Sequence, residues 1–427
     1  MASSAKSSSN QAPDLGIPDS PHIVEVSIIN TTSTIRGVQA DTFLTPPIDG
    51  HKWMATPVFS FLVQHPELKR SLLFDLGIRK DWENLSPPML SVIRKLGWTI
   101  HVDKDVREIL EEGGVDSSKI EAIILSHGHF DHVGNPATFG PDTALVVGPG
   151  FKEKATPGYP TNQSSYLLET AYAGRELIEL NFDTGRSGPN HTFQPLPIGR
   201  LRALDYFGDG SLYLLDTPGH APGHISALAR VTSSSSSSSP SSAPSFVLLA
   251  GDAFHHAGEF RPSAHLPLPS DIIPDPFEAD AAPLEYHYGL PGQVFARLFA
   301  DRGLPAGGTR PFYSRPPPPS SSSSSLPVSP SFHDDVDGVA RTLEKLQELD
   351  ARDNVLVAAA HDESLLGVLE FFPRGRLNGF VRHGTVRRVR WRFLKDFAHA
   401  VGKQGHELGR KREWCAETTM REGIKGV

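Results

Sequence analysis

Short apolar runs bounded by turn residues recur along the chain, and this pattern predicts β-strands. The predicted strands cover residues 71–76, 121–125, 144–147, 212–215, 246–250 and 355–360. A further apolar run, 225–231, stands before a Ser-rich tract, and 246–250 follows it. Because loop length adds little to the entropy of closure, we expect these two runs to pair as a hairpin with a long loop.

Apolar residues at helical spacing predict three helices between the strands. Val106, Ile109 and Leu110 share one helical face before two glycines. Similar stripes predict helices over 335–352 and 293–302. Strands and helices alternate through the chain, which indicates the α/β fold class.

The C-terminal part of the chain carries a different pattern. Over residues 388–393, arginines alternate with Val389, Trp391 and Phe393. This period of two predicts a half-exposed edge strand with an arginine face. The run lies in a basic segment, 374–412, which we interpret as a solvated face.

Ser- and Pro-rich stretches set the predicted domain boundaries. They are too polar to bury a core, so we expect them to be disordered or flexible. The prediction is a disordered tail (1–21), one domain (22–400) with flexible insertions at 232–245 and 315–331, and a C-terminal tail (401–427).

Composition excludes several classes of partner and site. The net charge of −8 argues against a nucleic-acid partner. No run approaches the ~20 apolar residues of a membrane span, and the N-terminus lacks the apolar core of a signal peptide. We therefore expect a cytoplasmic protein without a membrane partner. With one cysteine, Cys415, and 19 histidines, a transition metal would be held by imidazole and carboxylate groups.

The segment 121–135, EAIILSHGHFDHVGN, contains the densest group of candidate metal ligands. Side chains two apart in an extended segment point the same way, so His127 and His129 can bind one ion. Asp131 and His132 follow where the chain turns and can face a second ion. Three histidines and one aspartate this close together, directly after an apolar strand, favour metal binding over a structural role.

Three later strands also end in potential ligands. His220 and His224 follow strand 212–215, Asp252 follows 246–250, and His361 follows 355–360. Alone, each could be an ordinary turn or surface residue, and the sequence does not separate His220 from His224. Together they indicate that several strand ends deliver ligands to one edge of a sheet. Imidazole and carboxylate ligands suit Zn²⁺, and we expect two zinc ions per chain, with iron or manganese as alternatives.

The motifs HGHFDH, TPGHAPGH, GD and HD, in this order, resemble those of the metallo-β-lactamase fold superfamily. Within it they are most similar to N-acyl-homoserine lactonase-like and fungal lactamase-like hydrolases. The resemblance covers roughly residues 22–380, apart from the low-complexity tracts. It implies a four-layer αβ/βα sandwich, with the metals at one edge of its two sheets.

The resemblance also implies a role for each candidate residue. The first ion would be held by His127, His129 and His220, the second by Asp131, His132 and His361, and Asp252 would bridge the two. His224 would then not bind an ion itself, but would pack against or orient the residues that do. Asp75, in LLFDLG, resembles a residue that orients a ligand, although an ordinary turn aspartate would look the same.

Two residues are predicted to act in catalysis. Asp131, close to both ions, would carry a proton to the leaving group. His255 stands where the lactonases have a tyrosine that contacts the substrate carbonyl, and imidazole could donate to a developing oxyanion there. The segment 253–277 follows Asp252 directly and would form either a pocket wall or lid, or a simple surface loop.

These features predict a binuclear, metal-dependent hydrolase acting on a small molecule. The expected reaction opens a cyclic ester or amide (a lactone, lactam or cyclic carbamate, such as a xenobiotic) by attack of a metal-bridging hydroxide. One alternative is a thioester hydrolase of the hydroxyacylglutathione hydrolase type. A nuclease and a non-catalytic metal-binding module are weaker alternatives, because the chain is acidic and too little sequence follows His361 for a flavin domain.

Overall fold

The computed structural model describes residues 12–234, 243–278, 289–300, 303, 308–314 and 334–403. The strands within these ranges are β1 (Glu25–Arg36), β2 (Thr56–His65), β3 (Arg70–Phe74), β4 (Thr99–His101), β5 (Ile120–Ile124), β6 (Ala144–Val147), β7 (Leu177–Glu179), β8 (Gln194–Ile198), β9 (Leu201–Asp205), β10 (Leu212–Asp216), β11 (Ile225–Thr232), β12 (Ser245–Leu249), β13 (Asp271–Ile272), β14 (Leu290–Pro291) and β15 (Val355–Ala358). The α-helices are α1 (Pro87–Leu96), α2 (Val106–Glu112), α3 (Phe130–Val133), α4 (Phe151–Ala155), α5 (Ala296–Ala300), α6 (Val336–Asp350) and α7 (Thr385–Val389).

Thirteen of these strands form two large sheets. The first has seven strands in the order β4-β1-β2-β3-β5-β6-β7, and the second has six in the order β15-β12-β11-β10-β9-β8. β13 and β14 form a separate two-stranded sheet. In the second sheet β12 pairs antiparallel with β11 and parallel with β15, so β12 and β15 end at the same edge.

The alternation of side chains along each strand produces a layered core. Leu72 and Phe74 of β3 belong to the core between the two sheets, whereas Leu73 packs on the outer face with Leu110 of α2. Successive strand residues point to opposite faces, so both faces of the sheet are covered.

The second sheet is covered in the same way on its far side. Leu215 of β10 and Leu248 of β12 share a core with Val339 and Leu343 of α6. Asp335 caps the N-terminus of α6, and its side chain accepts a hydrogen bond from the Gly338 N–H at 2.8 Å. The result is helix, sheet, sheet and helix in four layers, which confirms the predicted αβ/βα sandwich.

The six strands and two of the helices predicted from the apolar pattern are present. β11 and β12 pair antiparallel across the Ser-rich tract, as predicted for a hairpin, and residues 235–242 lie outside the described chain. The predicted helices at 106 and 335 correspond to α2 and α6. The predicted helix over 293–302 consists of a 3₁₀ turn, Gly292–Phe295, followed by α5, and residues 301–302 are not described.

The predicted edge strand over 388–393 is wrong. The chain there forms α7 and then a 3₁₀ segment, Arg392–Phe397. Arg390 and Arg392 are buried, at 8% and 6% exposure, so they do not form a solvated arginine face. Their guanidinium groups donate instead to main-chain carbonyls, Arg390 to that of Asp350 and Arg392 to that of Ser364, both at 2.9 Å.

The predicted tails and insertions fall largely outside the described residues, which exclude 1–11, 315–333 and 404–427. The remainder of the predicted N-terminal tail packs on the sheets. Leu15 is buried at 4% exposure, and its carbonyl accepts a hydrogen bond from the Gly199 N–H. Among the described residues, no helix combines the length and the apolar character needed to cross a membrane.

Candidate metal centre

The candidate ligands lie in loops that follow four strands. His127 comes three residues after β5, His220 four residues after β10, Asp252 three after β12 and His361 three after β15. β10, β12 and β15 run in the same direction, because β11 is antiparallel to both of its neighbours and β15 is parallel to β12. Their loops therefore meet at one edge of the second sheet, where the loop after β5 also arrives.

Three imidazoles form a first cluster at this edge. His220 Nε2 lies 3.2 Å from His127 Nε2 and 3.0 Å from His129 Nδ1. The ligand atoms of the three residues all lie within 4.8 Å of one another. Three ring nitrogens thus point at one small volume, which is the arrangement that three histidine ligands of one ion adopt.

Asp131, His132 and His361 form a second cluster, whose ligand atoms also lie within 4.8 Å of one another. His361 Nε2 is 3.4 Å from Asp131 Oδ2, and His132 Nε2 is 3.9 Å from the same oxygen. All three side chains are largely buried. A second set of one carboxylate and two imidazoles is therefore placed beside the first.

Asp252 stands between the two clusters. Its Oδ1 lies 3.2 Å from His132 Nε2 and 3.3 Å from His361 Nε2, whereas its Oδ2 lies 3.6 Å from His220 Nε2. The two oxygens of one carboxylate thus face different clusters. The structure brings together all seven residues for which metal ligation is predicted.

Hydrogen bonds on the far side of three of the imidazole rings turn the other ring nitrogen toward the clusters. His132 Nδ1 donates to Asp75 Oδ2 at 2.9 Å, and His361 Nδ1 donates to the Pro57 carbonyl at 2.8 Å. The Ser126 hydroxyl donates to Asp75 and so accepts from His127 Nδ1, at 3.0 Å. In each of these three rings Nε2 is thereby left facing the clusters.

His224 does not face the clusters, and its hydrogen bonds explain why. Its Nδ1 donates to the Thr217 carbonyl at 2.8 Å, and its Nε2 accepts the main-chain N–H of Asp252 at 3.1 Å. Both ring nitrogens are therefore used. The structure separates the two histidines that the sequence left open: His220 joins the cluster, and His224 holds the backbone of Asp252.

Burial and charge set the protonation of the two clusters differently. Burial and neighbouring imidazoles hold the pKa of His127 and His220 well below the ordinary value. For His361, burial opposes protonation, but the carboxylates of Asp252 and Asp131 raise the pKa to about 10. Although burial acts against it, His132 and His361 keep the pKa of Asp252 well below its usual range. Asp252, which lies between the two clusters, is thus ionised.

The arrangement fits a pair of metal ions. Among the described residues, the buried atoms His132 Nε2 and Asp252 Oδ1 make no hydrogen bond, although they lie 3.2 Å apart. Buried polar atoms are normally satisfied, so atoms left in this state within a ligand cluster are what a bound cation would satisfy. The donor set of imidazole and carboxylate matches the preference of zinc, and also accommodates iron or manganese.

The predicted catalytic residue His255 lies beside Asp252, with its Nε2 3.4 Å from Asp252 Oδ2. Its loop is held by Glu259, whose Oε2 accepts the main-chain N–H groups of His255 at 2.6 Å and His256 at 3.0 Å. Glu259 was not predicted from the sequence. Its signal is a glutamate four residues after His255 that closes a turn at Ala257–Glu259.

A cavity of about 500 Å³ opens over the clusters. His129, Asp131, His220, Asp252 and His361 line it, and so does His255. Most of its remaining wall is apolar, and includes Val38, Phe43, Met89, Trp98 and Phe130. Of the segment 253–277, His255 lines this cavity, so the start of that segment is a wall of the site.

Residues 53–230 match the model of the family described as "Metallo-beta-lactamase superfamily". This range contains five of the seven residues predicted as ligands, from His127 to His220.

Two curated relatives of similar length and one shorter relative match the chain. A gamma-lactamase of Fusarium pseudograminearum is 40% identical over 389 residues, covering 90% of this chain and 85% of the relative. A metallo-hydrolase of Annulohypoxylon moriforme is 38% identical over 409 residues, covering 93% and 96% of the two chains. A second gamma-lactamase, from Gibberella moniliformis, is 49% identical over 227 residues, or 53% of this chain and 86% of that one. These matches confirm the predicted resemblance: the chain belongs to the metallo-β-lactamase superfamily and is a hydrolase of this fold.

Proposed function

We propose that the protein is a binuclear metal-dependent hydrolase that opens a small cyclic amide or ester, with a lactam or cyclic carbamate as its foremost substrate class. The observation that carries the proposal is the position of Asp252. Its Oδ1 faces His132 and His361, and its Oδ2 faces His220. A carboxylate presented in this way to two ligand clusters supports a pair of ions held side by side.

Each cluster supplies three ligands besides Asp252. One ion would be held by His127, His129 and His220, and the other by Asp131, His132 and His361. When bound, a pair of divalent cations would act as a Lewis acid, lowering the pKa of water toward neutrality and polarising a carbonyl group. The protein's own contribution is to fix these side chains through Asp75, Ser126 and the Pro57 carbonyl.

Two further roles fall to residues that line the cavity. Asp131 has 12% of its side chain exposed, so its Oδ2 can take a proton from the attacking water and deliver it to the leaving nitrogen or oxygen. His255 lies on the same wall, where its ring can donate a hydrogen bond to the carbonyl oxygen as negative charge develops there.

The cavity and the relatives support the substrate class. A volume of about 500 Å³ with a mainly apolar wall suits a small, ring-shaped molecule better than a polymer. Two relatives are named gamma-lactamases, which makes a cyclic amide the first substrate to test. A thioester is the competing small-molecule substrate, and the same assay includes it.

The test is a hydrolysis panel on the full chain, stripped of metal and then reloaded with zinc, iron or manganese. The panel contains γ-lactams, cyclic carbamates, γ-lactones and an acylglutathione thioester. We expect metal-dependent turnover of lactams or cyclic carbamates, and loss of both metal and turnover in Asp252→Ala. The exposed aspartate variant Asp183→Asn serves as the matched control and should keep both.

Two results would contradict the proposal. One is turnover of the thioester alone, which would make the protein a thioesterase. The other is full activity in Asp252→Ala, because that variant removes the one carboxylate shared by both clusters.

A further inference from the structure

A second cavity, of about 480 Å³, adjoins the one over the metal centre. Met54, Thr56, His255 and His361 line both cavities and form the wall between them. The side of the second cavity away from the metal centre carries its own polar side chains, including His51, His256 and Asp396. We call this cavity the Asp396 pocket and define it by His51, Trp53, Phe254, His256, Phe393 and Asp396.

Two consecutive histidines join the metal centre to this pocket. His256 has extended backbone angles, φ −145° and ψ 135°, so its side chain points away from that of His255. His255 Nε2 approaches Asp252 at 3.4 Å, whereas the His256 ring packs 4.9 Å from the ring of His51. The pocket therefore lies directly behind the wall of the metal centre.

Asp396 is a carboxylate with unused capacity to accept hydrogen bonds. Its side chain is 18% exposed, and its hydrogen bond among the described residues comes from His256 Nε2 at a long 3.3 Å. The nearby Lys395 is bound elsewhere, to Glu363 at 3.2 Å. A carboxylate can accept about four hydrogen bonds, so the half-buried Asp396 can accept further bonds from a cationic ligand.

Burial acts to raise the pKa of Asp396, but the hydrogen bond from His256 and the charge of Lys395 hold it below its usual range. Asp396 is therefore ionised at neutral pH. By contrast, burial and the neighbouring His256 lower the pKa of His51 to about 4, so that imidazole is neutral.

The hydrogen bonds of His256 argue against a metal ion in this pocket. Its Nδ1 accepts the main-chain N–H of Gly258 at 3.0 Å, so in the neutral ring the proton is on Nε2, which donates it to Asp396. A metal at Nε2 would require a ring with no proton at all. His51 Nδ1 is also engaged, with the Tyr313 hydroxyl at 2.6 Å.

The remaining walls suit an organic cation. Phe254 and Phe393 supply aromatic surface, and Trp53 is 54% exposed. Aromatic faces attract an ammonium group by cation–π interaction and also cover the apolar part that carries it. The lining also includes Asp362, Glu363, Arg36, Lys52 and Lys395, of which Lys395 is paired with Glu363, so the pocket offers Asp396 beside an aromatic surface within a mixed set of charges.

We propose that the Asp396 pocket binds a primary ammonium group attached to an aromatic or apolar body. This proposal rests on the proposed function and deepens it. When a lactam is hydrolysed, the carbonyl carbon gains the OH of water, the ring C–N bond breaks, and the nitrogen takes the remaining hydrogen. The single ring-opened product then carries a carboxylate and an amine, and the amine takes up the proton that the acid releases. A lactone would instead give a product with a neutral hydroxyl group, which forms no ion pair with Asp396. The pocket therefore matches the ring-opened product of a lactam and not that of a lactone.

The test measures binding to the zinc-loaded full chain by titration calorimetry at pH 7. The probes are benzylammonium and its neutral counterpart, benzyl alcohol. We expect benzylammonium to bind at least tenfold more tightly than benzyl alcohol to the unmodified protein. In Asp396→Asn the benzylammonium affinity should fall at least tenfold, with little change for benzyl alcohol. Asp353→Asn, at a 90% exposed carboxylate outside the pocket, removes the same charge and should behave like the unmodified protein.

Several outcomes would overturn the proposal. Equal binding of the two probes to the unmodified protein would do so without any variant, and this comparison stands even where Asp396→Asn fails to fold. Unchanged benzylammonium binding in a folded Asp396→Asn protein would also do so. A third zinc ion that binds the unmodified protein but not Asp396→Asn would assign the pocket to a metal instead. Intact benzylammonium binding without hydrolysis of any ring would contradict the proposed function but not the ammonium site.

Discussion

At the scale of single residues, the geometry of the metal centre depends on side chains that do not face it. Asp75 accepts hydrogen bonds from His132 Nδ1, the Ser126 hydroxyl and the Ser126 N–H, at 2.9, 2.7 and 2.6 Å. Ser126 in turn accepts from His127 Nδ1. One buried carboxylate therefore fixes a ring in each cluster.

Replacing Asp75 should weaken metal binding without removing a ligand. In Asp75→Asn the charge that orients His132 is lost, and partners of this kind typically contribute 10–100-fold in metal affinity. We expect a loss in that range when the zinc affinity is measured by competition with a chelator. Asp183→Asn, an exposed control, should bind zinc normally. An unchanged affinity in Asp75→Asn would mean that the ring of His132 is held by other contacts.

The lowered pKa of His51 predicts how the stability of the fold depends on pH. Its pKa is about 4 in the folded protein and near 6.5 when unfolded, so the unfolded chain binds the extra proton between these values. Stability from this group is therefore lost as the pH falls from about 6.5 toward 4. Between pH 7 and 4.5, the unfolding free energy of the metal-free protein should fall by about 2 kcal/mol more than that of His51→Gln.

Urea denaturation at several pH values measures this difference. The variant His101→Gln, whose imidazole is 47% exposed, should follow the unmodified protein. Parallel pH curves for the unmodified protein and His51→Gln would show that His51 is not held neutral by the fold.

At the scale of the elements, the loop after β5 is shaped by one glycine. Gly134 follows α3 with φ +53°, and a Cβ at this position would lie 2.5 Å from Leu76 Cβ. The Leu76 N–H donates to the His132 carbonyl at 2.8 Å, so the close approach also fixes the main chain of a predicted ligand. The glycine is required by both its conformation and its surroundings.

Gly134→Ala should therefore affect both stability and metal binding. We expect a loss of about 1–3 kcal/mol in unfolding free energy, from the strained φ and the contact with Leu76, together with weaker zinc binding. Gly140→Ala is the matched control, since no atom lies within 4 Å of its Cβ position. Equal effects of the two substitutions in denaturant titrations would contradict this account of the loop.

The sequence predicts an element correctly when neighbouring residues determine it, and fails when distant residues do. The strands before His127, Asp252 and His361 are short and mostly apolar, and these local features suffice to identify them. The run at 388–393 was misread because buried Arg390 and Arg392 are satisfied by distant carbonyls, which no local pattern reveals. The Asp396 pocket was missed for the same reason, since His51 and Asp396 meet only in the fold.

At the scale of the whole molecule, the two sheets bring distant parts of the chain to one edge. His127 and His361 are 234 positions apart in sequence, yet both lie around Asp252. A ligand set this dispersed can form only in the folded state. Metal ions should therefore bind the folded protein and not the unfolded chain, and so stabilise it.

The central claim is that seven side chains hold two ions, and native mass spectrometry of the zinc-loaded full chain tests it most directly. We predict two ions in the unmodified protein, one in His129→Ala and one in His361→Ala, because each variant removes a ligand from a different cluster. His101→Ala, which removes a partly exposed histidine elsewhere, should keep both. Fewer than two ions in the unmodified protein, or two ions retained in both cluster variants, would contradict the account.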